Sequence, residues 1–231
     1  MNNTNYGVAL GQLLKTNFKL VLALLLGVLV PLLIFGKMWD HIHNKGGFWW
    51  DESIMYYIRS LAHSELDEWV SRLTIFGEIA GVPILVGMAL LLRFLAKRPL
   101  SAFFFATSLS GAGAINIASK LVFQRIRPSL WVSPLPEIDY SFPSGHAMIS
   151  IALATTLVLL IWPTRLRWPA FICAIPCVVG ISASRLYLGV HYPSDIMAGW
   201  CAGFVWVMGL YLLLYKHLRK EKILVPTNIQ I

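Results

Sequence analysis

The sequence predicts an all-α membrane protein, a bundle of six transmembrane helices with short amphipathic interfacial helices in the first outer loop. Three observations predict it. Of 231 residues, 57% are hydrophobic and only 13% charged, against about 45–50% and about 25% in soluble domains. Six apolar stretches approach the about 20 residues that cross a bilayer. Lys and Arg also fall unevenly between those stretches, as membrane topology requires. The net charge of +8 would suit nucleic acid, but the basic residues flank apolar segments and form no run interleaved with exposed aromatics, which argues against that partner.

In chain order the predicted spans are residues 20–35, 74–95, 100–119, 144–162, 168–183 and 196–215. Lys15 and Lys19 before the first give it the look of a signal peptide. The long lead-in and the lack of a small-x-small cleavage pattern make it an uncleaved helix instead. With the N-terminus placed inside, the inner segments hold eleven basic residues (Lys15, Lys19, Arg93, Lys97, Arg98, Arg165, Arg167, Lys216, Arg219, Lys220 and Lys222) against Glu221 alone. The outer segments hold eight basic and ten acidic residues. Both termini are therefore expected in the cytoplasm.

Residues 37–72 form the longest connection. Trp39, Phe48, Trp49 and Trp50 suit the bilayer interface, and Asp51 suits a helix N-cap. Met55, Ile58, Ala62, Leu66, Trp69 and Leu73 then recur at helical spacing. One or two helices on the outer face are predicted, as a packing cap over the bundle or as a substrate lid. Cys173, Cys177 and Cys201 lie in apolar stretches and read as small packing residues, because no further ligands are spaced for a metal and an odd set suits no disulfide framework. Residues 1–231 read as one domain, and the tail after Lys222 as its floppy piece.

Three polar clusters interrupt the apolar sequence between Lys120 and Asp195. Charge at membrane depth is costly unless something polar meets it, so each cluster is a functional candidate. The topology carries all three to one outer surface. Lys120, Arg127 and Arg185 could each be an interfacial snorkelling residue, but together they suit an anion. Pro128 pushes Arg127 away from helical angles and lets it fold back toward Lys120. Arg brings a planar fork matched to phosphate oxygens, and Lys a point charge. Arg125 has no partner in this scheme and reads as facing lipid head groups.

Ser144 at an N-cap, followed by Gly145, opens the fourth helix with free N–H groups and a positive dipole end aimed at the same place. His146 sits in that first turn. His191 and Asp195 are four apart, with Pro193 between them at the start of the sixth helix. A carboxylate on one ring nitrogen would leave the other as base or nucleophile, although Asp195 could equally serve only the helix dipole. Glu78 and Asn116 could line a pocket or bond helix to helix.

The spacings Lys120-x6-Arg127-Pro128, Pro143-Ser144-Gly145-His146 and Ser184-Arg185-x5-His191-x3-Asp195 resemble the three-part signature of the phosphatidic-acid phosphatase type 2 superfamily, which also includes vanadium haloperoxidases. All three parts are present, in order, with no defining position altered. The likeness extends to the six-helix layout, while residues 1–70 carry little of it. The resemblance implies that His191 is a nucleophile forming a phosphohistidine, with Asp195 orienting it. It implies that His146 protonates the leaving oxygen and then activates water. Lys120, Arg127 and Arg185, with Ser144 and the Gly145 N–H, would hold the phosphate oxygens, so no metal or other cofactor is expected.

The implied substrate is a lipid phosphate or diphosphate taken from the membrane. Undecaprenyl diphosphate, phosphatidylglycerol phosphate and phosphatidic acid are the candidates in that order. The implied place is the outer face of a bacterial inner membrane, with membrane lipids as surroundings and no obligatory protein partner. Two other readings stand beside it: a phosphotransferase that passes the phosphoryl group to a lipid or sugar, and a phospholipid-binding or transport protein without catalysis. Intact His146, His191 and Asp195 argue against the last. Peroxidase chemistry is disfavoured because the related haloperoxidases are soluble.

Overall fold

Apolar stretches become helices here, and several run on past their apolar core. The computed structural model describes residues 18–63, 67–70, 72 and 98–221. The predicted span 74–95, Glu78, Leu66 and Leu73 lie outside the described residues, as does the tail from Lys222. The other five spans are helical. Helix α1 runs Phe18–Lys45, α3 Pro99–Phe123, α4 Gly145–Ile161, α5 Arg167–Tyr187 and α6 Pro193–Lys220. Four of these are long and apolar enough to cross a membrane, and α4 is a shorter apolar helix of 17 residues. The chain is an integral membrane protein.

Helix α1 outruns its predicted end because residues 36–45 are amphipathic rather than apolar throughout. Asn44 donates to Asp40 at 2.9 Å, while Met38 and Ile42 turn inward onto Phe142 and Ala198. Gly46, at φ 77°, ends the helix and returns its N–H to Ile42 O. Within α1, Leu25–Leu29 widen into a π-turn. Pro31 lies just beyond it and has no N–H to give to the carbonyl four residues back, so the ladder shifts there.

Helix α2, Trp49–Ser60, is the predicted helix of the first loop. Its N-cap is Phe48, and Asp51 sits at the third helical position with its carboxylate 3.4 Å from the Phe48 N–H. The expectation that Asp51 is the N-cap is therefore corrected. The carboxylate reaches back from inside the helix, where it is buried against Arg125 and Ser194.

The core of the bundle joins Phe104, Phe105 and Leu109 of α3 to Met148 and Ala152 of α4 and Val207 of α6. Gly199 and Gly203 let α6 lie directly on α4. A Cβ on Gly199 would stand 2.7 Å from Ser144 O, and one on Gly203 2.5 Å from Met148 O. Such small-x3-small spacing is how membrane helices approach when no hydrophobic force drives them together. Trp206 Nε1 donates to Ser108 O at 3.0 Å and Trp200 Nε1 to Ser182 Oγ at 3.0 Å, fastening α6 to α3 and α5. Cys173 and Cys177 do not pack inside. Both are exposed on the bundle surface and Cys201 is half-buried, because the face of α5 that carries the pair has no neighbour among the described residues.

Glu221, just past the end of α6, has a specific task. Its carboxylate accepts from Leu100 N at 2.7 Å, Ser101 N at 2.8 Å and Ser101 Oγ at 2.6 Å. It satisfies first-turn donors of α3 and meets the positive end of that helix. Glu221→Ala should cost about 1 kcal/mol, and Glu221→Gln less, because the amide oxygen still accepts. Thermal melts of the three proteins in detergent check this, with an expected fall for the alanine variant of about 2–4 °C.

Candidate active site

Four helix ends converge at one end of the bundle. Lys120 comes from the last turn of α3, Ser144 from the N-cap of α4, Arg185 from the last turn of α5 and Asp195 from the first turn of α6. Ser144 N donates to Asp195 O at 3.1 Å, so the starts of α4 and α6 are joined directly. Two positive helix ends therefore face the same space. Asn116 Nδ2 donates to Pro143 O at 3.0 Å, tying α3 to the turn that leads into α4. Gly189, at φ 73°, turns the chain off α5 and delivers Val190 and His191 into the interior. Only a residue without Cβ suits both that backbone and the Trp131 ring, which would lie 2.6 Å from such a Cβ.

His191 is 1% exposed and Asp195 wholly buried. The ring presents Nδ1 to Asp195 Oδ2 at 3.6 Å and to Ser141 Oγ at 3.5 Å, while Nε2 lies 3.2 Å from Arg127 Nη1. Asp195 Oδ2 accepts from Ser141 Oγ and from Tyr192 N. Burial pushes the imidazole down to about 4, against the pull of Asp195. The ring is thus held neutral with Nε2 toward the cations. Ser144 Oγ is buried without a hydrogen-bond partner among the described residues. It is not spent on the α4 backbone as an N-cap hydroxyl usually is. Gly145 and His146 form the first turn of α4 and are half-buried.

Lys120, Arg127 and Arg185 gather around two carboxylates that the sequence reading gave no role. Asp139 pairs with Lys120 and Arg127, and Glu137 with Arg127 and Arg185. Arg127 also donates to Val190 O at 2.6 Å and Asp139 O at 2.8 Å. Glu137 Oε2 stands 3.8 Å from His191 Nε2. Burial would raise Asp139, but its hydrogen bonds from Lys120 and Arg127 hold it below the usual carboxylate range. The available signal was two acids, two residues apart, in the loop between the first and second polar clusters.

Arg125 does not face lipid head groups. Its side chain is 8% exposed, and it donates to Asp51 Oδ2 at 2.9 Å, Asp195 Oδ1 at 2.5 Å and Ser194 Oγ at 2.7 Å. It also lies over the Tyr192 ring, 4.1 Å from the centroid. Burial alone would lower its pKa, yet Asp195 and Asp51 more than reverse that. Asp51 in turn accepts from Ser194 N at 2.9 Å and Ser194 Oγ at 2.6 Å. Spacing along the chain does not reveal this partner, because Asp51 lies 74 residues away.

The sequence model described as PAP2 superfamily matches residues 101–219. An undecaprenyl-diphosphatase from Sulfolobus acidocaldarius is 41% identical over 90 residues, which are 37% of this chain and 41% of that protein. A phosphatidylglycerophosphatase B from Escherichia coli K12 is 38% identical over 61 residues, 26% of this chain and 24% of that protein. The chain thus spans less than half the length of either relative. Among solved structures, a transmembrane PAP2 type phosphatidylglycerolphosphate phosphatase from Bacillus subtilis superposes with a TM-score of 0.72 at 23% identity, covering 85% of this chain and 98% of that one. That likeness is one of fold.

Two outcomes follow from these contacts. Removing one partner of a buried ion pair costs about 3–5 kcal/mol, so Arg125→Ala and Asp51→Ala should each lower the melting temperature sharply. The double variant should lose less than the sum, and melts of the four proteins measure the coupling. The neutral His191 ring has a lower pKa folded, about 4, than the ordinary 6.5. Stability from this group is therefore complete above pH 6.5 and is lost as pH falls toward 4, by about 3 kcal/mol in all. His191→Asn should flatten that part of the melting-temperature profile relative to wild type.

Proposed function

The chain belongs to the PAP2 superfamily, and from that premise we propose that it hydrolyses a lipid phosphate or diphosphate without a metal, through a phosphohistidine. The observation that carries this reading is the orientation of His191, whose Nδ1 faces Asp195 while Nε2 faces the cations. Nε2 attacks phosphorus, an Nε2–P bond forms, and the P–O bond to the leaving group breaks. Asp195 stabilises the positive charge that the ring gains. His146 gives its proton to the leaving oxygen, which departs as a lipid alcohol or, from a diphosphate, as the lipid monophosphate. His146 then takes a proton from water, the new hydroxide attacks phosphorus, and the Nε2–P bond breaks to release inorganic phosphate. Lys120, Arg127 and Arg185 neutralise the equatorial oxygens, with the Ser144 hydroxyl and the Gly145 N–H completing the cradle.

Undecaprenyl diphosphate is the first substrate to test, followed by phosphatidylglycerol phosphate and phosphatidic acid. Two relatives named for the first two substrates support that order. In this reading six helices span a bacterial inner membrane, both termini are cytoplasmic, and the site opens on the outer face where a head group can arrive sideways from the bilayer. The supporting pattern is the excess of Lys and Arg at the opposite ends of the helices.

Purified protein in detergent should release phosphate from one of these lipids in the presence of a chelator, in amounts that account for all substrate consumed. His191→Ala should lower kcat by about 10⁴-fold or more while the protein still folds. Orthovanadate should inhibit competitively. Wild-type-like turnover in His191→Ala, or strict dependence on Mg²⁺, would refute the mechanism.

A further inference from the structure

We infer that Glu137 and Asp139 are a built-in occupant of the phosphate cradle, which an incoming head group must displace, and that they thereby select its charge. The inference rests on the phosphate-site reading above. Every cation of that cradle is engaged by these two side chains: Lys120 by Asp139, Arg127 by both and Arg185 by Glu137. The Arg fork grips carboxylate and phosphate oxygens in the same way, so Glu137 takes the bonds that a phosphate would take. Its Oε2, 3.8 Å from His191 Nε2, stands in front of the nitrogen that would attack phosphorus. Substrate and Glu137 exclude one another.

The segment that carries both acids has few backbone bonds of its own. It is fixed on one side by Trp131 packed against Gly189 and on the other by Ser141 N donating to Arg125 O at 2.8 Å. Between these anchors, residues 133–140 give no backbone N–H to another backbone group among the described residues. Ile138 is fully exposed and the Asp139 side chain is 53% exposed. The carboxylates themselves therefore hold this stretch down. Among the described residues, the hydrogen bonds that also tie this stretch to the cations are those from Arg127 to Asp139 O and Tyr140 O.

Displacement has a charge requirement. Arg185 is 1% exposed, and taking a carboxylate away from a buried guanidinium carries a desolvation cost. A replacement must bring about as much negative charge as the two acids it removes. A phosphate monoester, at −1.5 to −2 near neutral pH, or a diphosphate does so. A phosphodiester head group brings a single charge and does not. The bilayer around the site consists largely of such diesters, so the two acids keep the cradle from filling with the surrounding lipid. They are specificity-determining residues rather than catalytic ones.

Orthovanadate and phosphatidylglycerol in mixed micelles are the probes, applied to the full chain in detergent as wild type, Glu137→Gln and Asp139→Asn. Removing the competitor should tighten orthovanadate inhibition by about tenfold in Glu137→Gln, in proportion to how fully the wild-type cradle is occupied. Asp139→Asn should shift it the same way. Phosphatidylglycerol should inhibit Glu137→Gln and leave wild type unaffected. Unchanged or weaker orthovanadate inhibition in both variants would overturn the inference. Orthovanadate that acts on no protein would instead overturn the phosphate-site reading on which it rests.

If the variants do not fold, wild type alone gives the answer. A carbodiimide activates the Asp139 carboxylate as an O-acylurea, the Lys120 amine displaces a urea, and the resulting amide is found by mass spectrometry. Inhibitory orthovanadate should abolish this Lys120–Asp139 link. An unchanged yield would mean that the two acids stay in place when the cradle is filled.

Discussion

Arg125 between Asp51 and Asp195 is the contact on which the site end of the bundle depends. Two carboxylates in a dry interior cannot both stay ionised without a cation between them, and a guanidinium can serve both at once because its donors point in fixed, separate directions. The contact joins three pieces of chain remote in sequence: α2 through Asp51, the end of α3 through Arg125, and the first turn of α6 through Asp195 and Ser194. Asp195 reaches the Nδ1 side of His191 from that anchored position. Moving helix α2 would uncover a buried ion pair.

The opposing demands of this site are electrostatic. The starts of α4 and α6 and three basic side chains all press positive potential onto one space, while His191 beside them is held neutral chiefly by its burial and only secondarily by Arg127 and Arg185. That neutrality is what a nitrogen nucleophile needs. The same potential is met by Glu137 and Asp139, which pair with Lys120, Arg127 and Arg185.

Much of this was legible in the sequence. Five of the six apolar stretches are helical where the periodicity and hydropathy place them, because the bilayer imposes a length and a composition on every span. The three clusters converge as the topology requires, for alternating helices bring alternate connections to the same side. What was not legible is long-range pairing. Arg125 and Asp51 are 74 residues apart, and Glu221 lies 120 residues from the donors that it accepts, separations on which spacing carries no information. Glu137 and Asp139 were in plain view but looked like ordinary loop acids, since their role comes from where the loop folds. Gly199-x3-Gly203 is a short-range pattern, legible in the sequence as a close helix contact.

The Glu221 cap also bears on how the chain is made. Helix α3 is synthesised early, yet the acceptor for its first-turn donors follows 120 residues later, at the far end of the last helix. During insertion the leading turn of α3 has to be served by water or lipid head groups, and it acquires its own partner only when α6 is complete. A nascent or truncated chain stopping short of Glu221 would carry its motifs in full and still leave α3 uncapped. Such a chain would present membrane quality control with exposed polar backbone at the end of the bundle opposite the site.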